Sequence, residues 1–239
     1  MNNKIFDITY VFHSIPIILQ TLPLTLYIMI ISLILGFILG LIVTTMKLSK
    51  SRIIKIIANA YTAFIRGTPP LLQLLLIYYG LPPVLSLIGI DINNIDKSIF
   101  AVIAFALNSA AFMSEVMRSA YLAVDKGQCE AALSVGMTNF QMVRRIVFPQ
   151  AFAIAVPSFG NITISLLKET SYVFAIGVID ILGKAKLIGS YGYGVRQLEA
   201  FIAVALIYWA VSILIEKSIK LYEYMHNNKF HKKVARGDF

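Results

Sequence analysis

Three polar groupings interrupt a chain that is otherwise mostly hydrocarbon. The first is Arg66-Gly67-Thr68-Pro69-Pro70, set inside an apolar run. A guanidinium in such a run is costly in a bilayer unless it meets a partner or water. It can hold a carboxylate in a bidentate fork. Equally, it can pair with Glu115 or Glu169 and only fasten helices together. The prolines behind it remove backbone donors and free carbonyl groups, and broken helices with free backbone groups near mid-membrane are a common way to build a solute site. The second grouping is Lys168-Glu169-Thr170-Ser171. It either lines a gate or cavity, with Glu169 facing an ammonium group, or is a polar boundary with a helix cap. Asn108, Asn161, Thr163 and Ser165 are further polar residues on apolar runs. They either line the same path or bond between helices, each bond worth roughly 0.6 kcal/mol. The third grouping, residues 125–149, is long and polar.

The elements that must position these residues follow from composition. The chain has 239 residues, of which 58% are hydrophobic and 14% charged, and its mean hydropathy is +0.78. Soluble domains are nearer roughly 45–50% apolar and 25% charged. Disorder, a coiled coil and a disulfide scaffold are excluded, and an all-α, polytopic membrane helix bundle remains. Cys129 is the only cysteine, so no intrachain disulfide forms. A spanning helix takes about 20 apolar residues. Spans are expected over Ile15–Met46, Ile56–Leu81, Ser98–Tyr121, Pro149–Leu167 and Ala200–Ile219, about five in all. The first is too long and lacks the basic leader of a signal peptide. The piece Ser171–Gly183 is too short to cross and is expected to be re-entrant or interfacial. The organisation expected is an extracytoplasmic amino terminus over 1–14, a membrane domain over 15–220 and a basic cytoplasmic tail over 221–239.

Charge orients the bundle. The loop after the first span, the segment between the third and fourth spans and the tail together carry 14 lysines and arginines, while the opposite side carries 6. Basic loops stay in the cytoplasm, which places the amino terminus outside and the carboxyl terminus inside. The net charge of +9 is read the same way, as membrane topology and not as nucleic-acid binding.

The segment 125–148 is then cytoplasmic. Asp125 with Gln128, and Thr138 with Gln141, each fit a reciprocal helix-capping pattern. Gly136 suits the stop between the two helices, because glycine reaches the left-handed region without steric cost. Pro149 is expected to force a boundary before the fourth span. Ala131 and Ala132 give the first helix a small-residue face that lets another protein approach.

The run Glu130-Ala131-Ala132, three residues, Gly136, nine residues, Ile146, one residue, Phe148-Pro149 resembles the EAA loop of ABC importer membrane subunits, with Phe148 where the family has Leu. Arg66-Gly67-Thr68-Pro69 with Leu71, Leu72 and Gln73, the run Leu167 to Ser171, and Asn108-Ser109-Ala110-Ala111-Phe112 with Glu115 are similar to motifs of its polar amino-acid branch. The resemblance covers about residues 15 to 220. It implies a permease subunit of a bacterial plasma membrane whose coupling element, with Gly127, Glu130, Ala131, Ala132, Gly136 and Pro149, docks on a separate ABC ATPase subunit. It implies a solute path or gate with Arg66, Thr68, Pro69, Asn108, Glu115, Asn161, Lys168, Glu169, Thr170 and Ser171. It also implies a second permease copy or homologue and an extracytoplasmic amino-acid-binding protein. Many members carry Glu three residues before this arginine, where this chain has Ala63. That departure weakens a basic amino acid and leans toward a neutral or sulfur-containing one such as L-cystine.

No catalytic constellation competes with this reading. The nearest approach to a nucleotide phosphate loop, Gly177 to Gly183-Lys184, has the wrong spacing and ends in Ala185. ATP and magnesium are therefore expected on the partner ATPase, with no cofactor on this chain. Histidine and cysteine show no metal-ligand spacing, and His226 and His231 are expected to be solvated in the tail. A stand-alone secondary transporter or channel would explain the spans and Arg66, but not the twice-capped element at 125–148.

Overall fold

The computed structural model describes residues 6–190 and 194–236, with side chains as far as residue 225. Part of the expected amino-terminal segment 1–14, and most side chains of the expected tail 221–239, lie outside the described residues. Ten α-helices follow one another among the described residues: α1 (Ile8–Leu19), α2 (Leu22–Leu48), α3 (Arg52–Gly67), α4 (Pro70–Ser86), α5 (Lys97–Ala123), α6 (Lys126–Ser134), α7 (Asn139–Met142), α8 (Phe148–Glu169), α9 (Ile181–Ser190) and α10 (Gln197–Arg236). A π-helical turn, Val143–Val147, joins α7 to α8, and a 3-10 segment, Thr170–Ile176, continues α8.

Four stretches are long and apolar enough to cross a membrane: α2, α5, the continuous run Asn139–Ile176 and Gln197–Met225 of α10. The bent pair α3 and α4 makes a fifth if it counts as one span. The all-α bundle of about five spans is thus observed.

Helix α5 is the axis. Of its apolar window 67% is buried, against 22–28% for the other three long spans. Its sequence explains this: Ala101, Ala104, Ala106, Ser109, Ala110 and Ala111 are all buried, and small residues let neighbouring backbones approach closely. The tightest neighbour is α2. A Cβ on Gly36 would lie 2.8 Å from Ser109 Cβ, and one on Gly40 would lie 3.2 Å from Met113 Cβ. Hydroxyls stitch the seam, with Ser32 Oγ donating to Val102 O at 3.4 Å and Thr44 Oγ1 to Ser114 O at 3.2 Å. Both donors are buried.

Three expectations about the path of the chain are corrected. The first span does not begin at Ile15. The chain breaks at Gln20-Thr21, Pro23 sits in the first turn of α2, and α1 stands apart as a short helix. It packs Val11 and Ile18 with Ile181, Ala200, Ala203 and Ile207 of α9 and α10.

The break expected behind Arg66 is observed, and the second span is two helices. Helices α3 and α4 meet at 109°. A residue before proline is pushed out of the helical region by the proline ring. Thr68 and Pro69 both precede prolines, and both are extended, with ψ of 146° and 136°.

The boundary expected at Pro149 is absent. Helical backbone runs from Asn139 through Glu169, because the π turn absorbs the proline. The Phe148 N–H bonds to Val143 O, five residues back, so the ladder is already widened where the ring would clash with the carbonyl four residues earlier.

Finally, of the two expectations for Ser171–Gly183, the interfacial one is corrected, while a buried reversal agrees with the re-entrant one. The first half of this piece prolongs α8 and reverses at Gly177, whose φ is +78°. Val173, Ile176 and Val178 are buried against Ile28, Leu74, Ala101 and Phe105.

The α2–α5 seam yields a test. Gly36→Ala places a methyl group where no space exists, and overpacking a well-filled core costs about 1–3 kcal/mol. The variant is expected to melt several degrees below the wild type in detergent, followed by size-exclusion after heating. An unchanged melting point would show that the seam is looser than described.

Candidate functional site

The surface element at 125–148 is built by local hydrogen bonds. Asp125 Oδ1 accepts from Gly127 N at 2.6 Å and caps α6. The reciprocal half of that cap is not formed, since the Gln128 side chain instead accepts from Gln150 Nε2 at 2.6 Å. Helix α6 stops at Gly136, with φ +84°. Met137 N bonds to Ala132 O and Gly136 N to Leu133 O, the paired closure that a left-handed residue after a helix permits. Helix α7 starts with both halves of its capping box, Gln141 N to Thr138 Oγ1 at 3.2 Å and Thr138 N to Gln141 Oε1 at 2.9 Å.

The outward face differs from the one expected. Glu130 and Ala131 are exposed, but Ala132 is buried against Val124, Met142 and Val147. Consecutive residues of a helix point about 100° apart, and Ala132 packs the element together from inside. The apolar groups that do point outward are Leu133, Val135 and Phe140, the last two 75% and 72% exposed. Sequence inspection missed them because the period is broken by the turn at Gly136.

Behind this element lies a charge cluster centred on Glu115 of α5. Lys47 Nζ from the last turn of α2 is paired with Glu115 Oε1 and donates to Thr62 Oγ1 at 2.9 Å. Arg118 Nε donates to Glu115 Oε2 at 3.0 Å. Arg66 Nη1 is 4.0 Å from Glu115 Oε1, and its guanidinium lies over the Phe112 ring, 5.7 Å from the centroid. Of the two acidic partners considered for Arg66, Glu115 is the one it meets. Three cations face one carboxylate. Lys47, assigned by its sequence to a basic loop, is instead a buried partner, its side chain 2% exposed.

One helical turn farther along the same stripe of α5 is a cavity of about 240 Å³. Asn108, Ser109 and Phe112 of α5 line one wall, and Asn161, Ile162, Ser165, Leu166 and Glu169 of α8 line the other. Residues 108, 112 and 115 are spaced by four and three, so they project from one helix face. Asn108, Asn161 and Glu169 are therefore brought together. No described cation or hydrogen-bond donor meets the Glu169 carboxylate. The cavity thus offers one carboxylate and several neutral hydrogen-bonding groups, suited to a polar solute that carries an ammonium group.

The other expected path residues lie elsewhere. Thr170 Oγ1 donates to Leu167 O at 2.6 Å and Ser171 Oγ to Lys168 O at 2.7 Å. These are bonds of a helix end, and exposed Lys168 stays outside the cavity. Thr68 and Pro69 form the α3–α4 elbow. There Gln73 Nε2 donates to Ile65 O at 2.7 Å, Thr68 O at 3.0 Å and Thr68 Oγ1 at 2.9 Å. Among the described residues no group of three His, Cys, Asp or Glu could hold a metal ion.

Residues 32–223 match the model of the binding-protein-dependent transport system inner membrane component family. The chain belongs to that family. Curated relatives include the L-cystine transport system permease protein TcyL of Bacillus subtilis, 42% identical over 89% of this chain and 88% of that protein. Another is the arginine transport system permease protein ArtQ of the same organism, 38% identical over 87% and 92%. A crystal structure of an amino acid ABC transporter with histidines superposes with a TM-score of 0.80 at 36% identity, covering 92% of this chain and 99% of that one. An inward-facing methionine transporter, MetNI, shares the fold, with a TM-score of 0.71 at 20% identity over 87% and 95%. As a binding-protein-dependent permease the chain is a membrane-embedded, multi-pass translocation subunit, as its motifs implied.

The charge cluster of this permease can be tested apart from transport. Glu115→Gln leaves Lys47 buried without an anion, and removing one partner of a buried pair is strongly destabilising. The yield of monodisperse protein in detergent is expected to fall several-fold. Lys47→Met combined with Glu115→Gln should recover it. Failure of the double variant to recover would assign Glu115 a role beyond neutralising Lys47.

Proposed function

We propose that the chain is the permease subunit of an ATP-driven amino-acid importer in a bacterial plasma membrane, with its amino terminus outside and its carboxyl terminus in the cytoplasm. The observation that carries this reading is one of placement. The two helices that wall the cavity, α5 and α8, are the two that lead directly into and out of the element at 125–148. A push on that element tilts both walls. An ABC ATPase subunit, holding ATP and magnesium, grips the exposed face with Glu130, Ala131 and Phe140. Gly127 frees the α6 start, Gly136 sets the angle between α6 and α7, and Pro149 sits where the element passes into the span. Closure of two ATPase subunits turns a pair of permease chains outward, an extracytoplasmic binding protein delivers the solute, and hydrolysis resets the assembly.

Within the path, Glu169, Asn108 and Asn161 hold the solute, while Arg66 and Glu115 form a charged gate below Phe112. Thr68 and Pro69 shape the elbow, and Lys168, Thr170 and Ser171 close the outer end. The solute is a neutral or sulfur-containing amino acid, with L-cystine favoured. Ala63 in place of an acid and a single free carboxylate in the cavity support this, as does the relatedness to an L-cystine permease.

Two experiments test the proposal. Gly136→Val forces a β-branched residue into a backbone region it rarely adopts. It is expected to lower uptake more than tenfold while the assembled complex still hydrolyses ATP, and Ala131→Cys should crosslink to the ATPase subunit. Coupled uptake at the wild-type rate would overturn the docking role. For the solute, excess unlabelled L-cystine is expected to abolish uptake of labelled L-cystine, and L-arginine to leave it. Equal competition by L-arginine would overturn the assignment.

A further inference from the structure

Gln73 makes more contacts than a brace for the elbow requires. It is 5% exposed, and both ends of its amide are used. Pro69 has no N–H to give to Ile65 O, and Gln73 Nε2 supplies that donor while also reaching Thr68 O and Thr68 Oγ1. Three oxygens around the nitrogen fix which end of the amide is which, because only the NH2 end donates. The Gln73 oxygen is thereby turned toward α5, where it accepts from Asn108 Nδ2 at 2.9 Å.

That bond fixes Asn108 in turn. With its nitrogen held by Gln73, its Oδ1 is the group left over. Among the described residues no sealed polar side-chain atom lacks a partner. Asn108 Oδ1 has none in the protein, so it opens into the cavity that Asn108 lines. Turning the Asn108 amide over would set its oxygen against the Gln73 oxygen, which is repulsive.

We propose that Gln73 is a positioning residue for solute selection: the proline break at Thr68-Pro69 orients Gln73, Gln73 orients Asn108, and the cavity is thereby given a carbonyl acceptor beside the Glu169 carboxylate. The pair favours a solute that presents an ammonium group as donor. The proposal rests on the reading that the cavity between α5 and α8 holds the solute.

The test uses the permease assembled with its ATPase and binding protein in whole cells. The readout is initial uptake of radiolabelled L-cystine, L-glutamine and L-arginine, normalised to membrane-inserted permease and analysed for whichever the wild type transports. Gln73→Met keeps the volume and removes both ends of the amide. Its KM is expected to rise at least fivefold, with maximal rate per inserted complex changed less than twofold. Asn108→Asp placed on that background gives two equivalent acceptor oxygens, so no orienting partner is needed, and the KM should return to within twofold of the wild type. A residue that only braces the elbow would not be rescued in this way. An unchanged KM in Gln73→Met, or no rescue by Asn108→Asp, overturns the proposal. Ser165→Phe, which fills the cavity, separates the two claims. If it blocks uptake while Gln73→Met does not alter KM, the role of Gln73 falls alone; if it transports normally, the cavity is not the path and both fall.

Discussion

A backbone in hydrocarbon has no water to accept its unpaired groups, so every break in a spanning helix must be covered from within the protein. This constraint bears on the irregular points of the spans. At Pro69 the uncovered Ile65 carbonyl is met by the Gln73 side chain. At Pro149 the preceding π turn has moved the ladder to a five-residue step, with the Phe148 N–H on Val143 O, and the helix continues. At Gly136, outside the spans, the paired closing bonds likewise take up Ala132 O and Leu133 O. The same residue type thus has opposite outcomes at two sites. Two consecutive prolines bend the chain by 109°, while one proline behind a π turn leaves it helical.

Charge obeys the same economy of partners. Glu115 is the one acid in the middle of α5, and Lys47, Arg66 and Arg118 converge on it from three helices. Lys47 is sealed and needs the carboxylate to be tolerated at all. Arg66, with its side chain 49% exposed, does not. Its 4.0 Å approach and its place over Phe112 leave the guanidinium with hydrogen-bonding capacity to spare. The surplus of positive charge lies on one side of Phe112, and the unpaired Glu169 lies across the cavity on the other. The face of α5 that carries Asn108, Phe112 and Glu115 thus meets the arginines near Glu115 and, across the cavity, the Glu169 carboxylate of α8.

How much of this the sequence carried depends on the range of the interaction. Local chemistry was legible: Thr138 and Gln141 do form their box, and Gly136 is left-handed. The family motifs were legible too, because they are fixed spacings. Pairings across many residues were not. Nothing near Lys47 signals that a residue 68 positions away will hold it, and counting it as a loop charge was the natural result. Ala132 was misjudged for a related reason. Small residues suit both a buried contact and an open face, and only the fold of Val124, Met142 and Val147 around it decides which. The break of the second span was legible in its prolines but not in its angle, which depends on how α3 and α4 each pack on α5.

The cavity and the surface element are linked more directly than proximity alone would make them. Both cavity walls are single helices, and each is continuous with one arm of the element. The last turns of α5 pass through Val124 into α6, and α7 passes through the π turn into α8. The arms are joined to one another by the Ala132, Met142 and Val147 packing and by Gln128 to Gln150, so they move as a unit. A rigid unit attached to two walls can change the gap between them only by tilting, and the wall that tilts least is the one held most tightly. That wall is α5, pinned along α2 by Gly36 and Gly40 and by the Glu115 cluster. Helix α8 is held less closely: the apolar window of its run is only 22% buried, and its ladder departs from the regular step at the π turn and again in the 3-10 segment. The residues that α8 brings to the cavity, Asn161, Ser165 and Glu169, therefore stand on the less buried wall, and those of α5 on the more buried one.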